Sequence, residues 1–220
     1  MAFNKIKIIL ALLPLTYYFS CAQPKHQVNS LARKLNDSAM NIYRMSSKLL
    51  DTGVLKHAVN LLNKATGIDS DYFTAYRNKL LFQIQLRNDE AALKTGKELL
   101  RLKPDDIEVI VITGQCYDRL GDSLSASAYY KMALPKFDKI LDTMKIGTET
   151  YKTIALGKAF DLVLLNRRKE STILLNQLSA METDTIYKNQ YKEFTNFSKS
   201  DILYGPKTKV TSEDATPLKH

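Results

Sequence analysis

Three alanines, Ala58, Ala92 and Ala126, stand 34 residues apart, and no other property of the sequence limits the fold so tightly. Gly53 and Gly121 lie two such intervals apart, and Ile68/Leu102, Leu86/Leu120, Asn88/Asp122 and Ser70/Pro104 keep the same register. A unit this short cannot bury an apolar face alone, so repetition at this period predicts a stack of like units. One unbroken register aligns residues 39–72, 73–106 and 107–140. Leu165, Ser171 and Leu174 follow Leu120, Ala126 and Tyr129 by 45 residues, which places a fourth, degenerate unit at 152–185 after an insertion of 11 residues near Leu141 to Tyr151.

Each unit reads as two helices and a tight turn. In the third unit a helix from about Asp105 to Arg119 meets Leu120-Gly121-Asp122. The glycine can take the left-handed conformation that ends a helix, and the aspartate can cap the next one. Ala126, Tyr129, Tyr130 and Ala133 then recur at helical spacing. Small residues at the recurring alanine position let paired helices approach closely. Pro104 stops one hairpin and starts the next. The spacing predicts helices at about 149–164 and 168–181, and a last helix from about Asp184 to Phe197, its 186–197 portion capping the end of the repeats. Pro135 is placed to kink the helix that the insertion extends. Residues 198–220 are polar and read as a disordered tail. The first helix is expected to begin near Ser30, with residues 21–29 as a tether, so that the repeats fill 30–185.

These residues resemble the tetratricopeptide repeat, whose hallmarks are the 34-residue period, the Leu-Gly turn, the alanine and the terminal proline. Gly114, Tyr117, Gly121, Ala126 and Ala133 make the third unit the best match. The first has Ser46 in place of the early small residue. In the second, Arg87 replaces the turn glycine, and Lys79 and Gln83 stand where apolar residues are usual. The resemblance covers about two-thirds of the chain. It implies an all-α solenoid of helical hairpins that binds proteins through the concave face lined by the first helices. By the same resemblance, partner-binding places fall on Tyr43 and Ser47, on Arg77 and Leu81, on Val111, Gln115 and Arg119, and on Leu156 and Phe160. An aromatic, two arginines and several aliphatics could hold a partner helix or extended segment. The same side chains also suit packing between repeats, with the arginines as solvated surface. Carboxylate clamping, another use of such domains, requires Lys and Asn in successive first helices. Here Tyr43, Ser47, Asn78, Glu108 and Ile112 occupy those places, and only Asn78 agrees.

The amino-terminal region carries a different signal. Asn4-Lys5-Ile-Lys7 precedes an apolar run from Ile8 to Phe19, and Ser20-Cys21 follows. A basic start, a run of about 12 apolar residues and a small residue match a secretory signal peptide over residues 1–20. The run falls short of the roughly 20 residues that a spanning helix needs. Tyr18-Phe19-Ser20-Cys21 resembles a relaxed, Bacteroidota-like lipobox, which implies lipidation of Cys21 with diacylglycerol and palmitate. An ordinary signal with a chance cysteine and an uncleaved anchor are the other readings of these residues. Ala22-Gln23 after the cysteine favours, by resemblance, the outer membrane facing the periplasm. The expected partners are other envelope proteins, together with the membrane through Cys21.

Composition excludes more than it selects. The formal charge of +9 becomes +7 without Lys5 and Lys7, and the basic residues spread along the whole chain, which gives no nucleic-acid patch. With Cys21 lipidated, Cys116 has no disulfide partner and reads as a small buried hydrophobe. His26, His57 and His220 show no metal-ligand spacing, and neither a phosphate loop nor a Gly-x-Ser-x-Gly elbow occurs. No cofactor, metal or enzymatic activity is expected. The rivals to a binding adaptor are a glycan-binding envelope lipoprotein, which this tryptophan-free chain suits poorly, and an envelope enzyme using Cys116.

Overall fold

The computed structural model describes residues 26–45 and 51–206. Among these residues ten helices follow in order: α1 (Ser30–Met45), α2 (Thr52–Ile68), α3 (Phe73–Gln85), α4 (Asp89–Leu102), α5 (Ile107–Arg119), α6 (Ser123–Leu141), α7 (Glu149–Leu164), α8 (Arg168–Met181), α9 (Thr185–Phe194) and α10 (Lys199–Tyr204). All regular structure among the described residues is helical, and from α1 to α9 each helix packs on the next. This is a tetratricopeptide-type α-solenoid.

The hairpin turns explain why the units are alike. Arg87, Gly121 and Asn166 take positive φ, at 56°, 86° and 60°. In each turn the residue after them donates its N–H five residues back: Asn88 to Gln83, Asp122 to Tyr117 and Arg167 to Leu162. The left-handed residue itself donates three back, to Ile84, Asp118 and Val163. That is one Schellman ending made three times, by an arginine, a glycine and an asparagine. Asn88 and Asp122 then accept from the N–H groups of Ala91 and Ser125, so the ending of one helix supplies the cap of the next.

The recurring alanines sit in equivalent places. Ala58, Ala92 and Ala126 are each fully buried within the cluster of their own hairpin. Ser171 holds the corresponding place in the fourth unit and is also buried. Helix contact is so close at Gly114 that an added Cβ would lie 2.6 Å from the Tyr130 ring. Around these contacts Leu62, Phe82, Ile110, Tyr130 and Leu178 are wholly buried. Each such side chain stabilises the stack by about 1.5–3 kcal/mol relative to an exposed one.

The 11-residue insertion is divided between elements. α6 has 19 residues against 14 in α4, and α7 has 16 against 13 in α5. The connection 142–148 is likewise longer than 103–106. Pro135 lies inside α6, and Gly147 (φ 84°) and the Thr148 cap redirect the chain into α7.

Three features depart from the sequence reading. Gly53 keeps the register of Gly121, which implies the same turn, but it does not take positive φ. It lies in the first turn of α2, which starts early because Asp51 accepts from the N–H groups of Gly53 and Val54. Residues 26–29 are fastened rather than loose: His26 Nε2 lies 2.7 Å from Asp69 Oδ1, and the Asn29 N–H donates to Asp69 Oδ2 at 2.8 Å. Burial pushes the Asp69 carboxyl up, but the bonds from Asn29 and His26 outweigh it and hold the carboxyl below its usual range. Finally, part of the expected tail is ordered. α10 starts on a capping box between Ser198 and Asp201, and its Leu203 is buried.

Candidate functional site

The first helices α1, α3 and α5 lie side by side, so their outward positions form one face. Asn78 Nδ2 donates to Asn36 Oδ1 at 2.8 Å, and the Tyr43 and Phe82 rings are 4.8 Å apart. Gln85 Nε2 donates to the Tyr43 hydroxyl at 3.4 Å. Arg77 of α3 pairs with Glu108 of α5. Burial pushes the Glu108 carboxyl up, and Arg77 offsets only part of that.

The residues named from sequence fall into distinct settings. Leu81 is half-buried beside Tyr43 in the first cluster, and Val111 is buried in the third hairpin. Arg119 is almost fully enclosed, with Nε donating to Asp89 Oδ1 at 2.6 Å, so its charge braces two units. Leu156 and Phe160 pack under α9: the Phe160 ring meets Phe194 edge-on at 5.1 Å and stacks on Phe197 at 6.3 Å. Gln115 is half-buried. Ser47 and Cys21 lie outside the described residues. Tyr43 thus meets Phe82, and Arg77 meets Glu108, across successive first helices, whereas Arg119, Val111 and Phe160 are taken up in packing.

Cys116 has no exposed surface, and burial pushes its thiol up to about 11, with Arg119 only partly opposing. It is a packed thiol rather than an activated nucleophile. Among the described residues no cluster of His, Cys, Asp or Glu could hold a metal ion, and no helix is long and apolar enough to cross a membrane.

Sequence reasoning missed a second cluster of contacts, which joins the carboxy-terminal helix to distant turns. The carbonyl of Phe197 accepts from Arg168 at 2.6 Å, Lys199 Nζ lies 2.7 Å from Asp118 Oδ2, and Arg87 donates to the carbonyls of Leu203 and Tyr204 at 3.3 Å each. α10 thus spans the hairpin turns of the fourth, third and second units. Its signal was present as Ser198-x-x-Asp201 ahead of Ile202-Leu203, a capping box before an apolar pair.

No protein-family model matches the chain, and no curated protein matches it. Among solved structures it is similar to a thermophilic TPR protein of Thermus thermophilus, with 18% identity over 74% of this chain and 80% of that one and a TM-score of 0.49. It is also similar to YrrB, a TPR protein with an unusual peptide-binding site, with 14% identity over 77% and 83% and a TM-score of 0.45. The three Schellman turns and the matching surroundings of the alanines make the chain a stack of like hairpins.

Proposed function

We propose that this chain is a non-catalytic adaptor of the bacterial cell envelope, tethered through a lipidated Cys21 and holding a segment of another envelope protein on the face of its first helices. The observation that supports it is the continuity of that face. Tyr43, Leu81 and the Arg77–Glu108 pair are contributed by three successive hairpins and are held by contacts between units. A face fixed in advance loses little conformational freedom when a partner binds. Gln115 and the exposed Thr74 lie at its accessible positions.

The test is a photo-crosslinking amino acid placed singly at Gln115, Thr74 or Lys94 in living cells. Lys94 is an exposed control on α4, a second helix. Gln115 and Thr74 should trap one common protein, and Lys94 should not. Equal labelling from all three positions removes the adaptor reading. Tethering is tested separately: Cys21→Ser should abolish labelling by a palmitate analogue and shift the chain from the membrane to the soluble fraction. Unchanged labelling sinks the anchor.

A further inference from the structure

We propose that the seat of α10 is a recognition site, filled here by the chain's own carboxy-terminal strap, and that its partner in trans is a short helical segment of like chemistry: a lysine followed at the third and fourth positions by two aliphatic residues. This rests on the adaptor reading and adds to the face of the first helices a second surface, with a partner chemistry of its own.

The seat is built from three hairpin turns. At its centre the Asp118 carboxylate, almost wholly enclosed, receives the Tyr130 hydroxyl at 2.7 Å and the Lys199 ammonium at 2.7 Å. Lys199 also lies 5.9 Å from the centre of the Tyr130 ring. Beside this anion Leu203 enters the cluster of Ile110, Tyr130 and Leu164, with Ile202 against its margin. Arg87 closes the far end by donating to two carbonyls in the last turn of the strap, where a helix leaves its acceptors unsatisfied. Arg168 holds the near end through the Phe197 carbonyl. The seat therefore reads a cation, an apolar pair and the carbonyl end of a short helix.

The occupant is weakly held for its role. Six residues are too few to form a stable helix unaided, so α10 exists because the seat and its capping box order it. Only Leu203 of its side chains is buried, Tyr204 is 54% exposed, and Arg87 is exposed. Segments with few buried contacts open locally well before the whole fold does. When the strap leaves, Asp118 loses its cation, and the enclosed carboxylate favours a replacement of the same charge.

The experiment uses the full chain and its full-length double variant Lys199→Glu/Leu203→Ser, which empties the seat. The probe is a fluorescent peptide spanning residues 197–206, titrated by anisotropy. The emptied variant should bind it at least about tenfold more tightly than the unaltered chain, and adding Asp118→Asn should remove about that factor again. A peptide carrying Lys199→Glu should not bind. Equal affinity for both chains, or no binding to an emptied variant that keeps its helical circular dichroism, overturns the proposal. Hydrogen exchange on the unaltered chain gives a second reading that needs no variant. Strap amides should exchange far faster than those of α5, and equal protection overturns the proposal as well. The Gln115 crosslink decides the adaptor reading separately, so a trapped partner together with a failed peptide titration removes the seat alone.

Discussion

Asp161 is the residue whose setting is least expected. It occupies the place of Cys116 one unit later, is wholly buried, and neither carboxylate oxygen meets a hydrogen-bond donor among the described residues. Burial pushes its carboxyl up to about 8, with Arg167 opposing only weakly. An acid whose folded pKa lies above its unfolded one favours the fold in its protonated form. Stability is therefore unaffected below about pH 4 and declines as pH rises toward about 8, where the folded state also ionises. Asp161→Leu should stabilise the chain by about 1–3 kcal/mol at neutral pH in urea unfolding, and the gain should shrink toward pH 4. A gain that is flat with pH refutes this account. Two glycines separate backbone strain from packing. At Gly121, with φ 86°, an added Cβ meets nothing within 4 Å, so Gly121→Ala should cost about 1 kcal/mol through conformation alone. Gly114→Ala drives a methyl into the buried Tyr130 ring and should cost more, about 2–3 kcal/mol by thermal unfolding.

Between elements, charge rungs join successive units. Arg77–Glu108 and Arg119–Asp89 connect side chains 30 or 31 residues apart, and both pairs are largely enclosed. Arg101–Asp71 has the same spacing, but both partners are about half exposed. A double-mutant cycle should give a coupling of about 1–3 kcal/mol for Arg119–Asp89, and a clearly smaller one for Arg101–Asp71 that vanishes in high salt. Similar couplings for the two pairs contradict the role given to burial. The rungs also show what a linear reading could not reach. Helices α7 and α8 were legible because Leu165, Ser171 and Leu174 keep the 45-residue offset. The turn at Arg87 was legible by register only, since a left-handed arginine has no local signature. Gly53 misled because Asp51 caps α2 two residues upstream. The arginines were visible as groove positions, but their carboxylate partners sit almost one period away, where pairing emerges only once the units are stacked. α10 was overlooked because six residues with three apolar side chains resemble solvated chain in composition.

Over the whole molecule, stability should behave as a sum along a line. Each of the first nine helices packs chiefly on its sequence neighbours, and contact beyond them is slighter, as between α1 and α3, in the Arg77–Glu108 pair of α3 and α5, and where α10 crosses the hairpin turns. The buried clusters divide in the same way, one centred on α1–α3 and another on α7–α9. A defect placed in one hairpin should therefore weaken that hairpin and its neighbours and leave distant ones intact. Leu62 of α2 and Leu178 of α8 are both wholly buried and lie in those two end clusters. Truncating either to alanine removes about 2–5 kcal/mol of local packing. In hydrogen exchange, Leu62→Ala should lower protection through α1–α3 while α7 and α8 keep theirs, and Leu178→Ala should do the reverse. In a chain with one shared core, both substitutions would lower protection everywhere by the same amount. The contrast between the two variants thus measures directly whether the hairpins are stabilised by their neighbours alone.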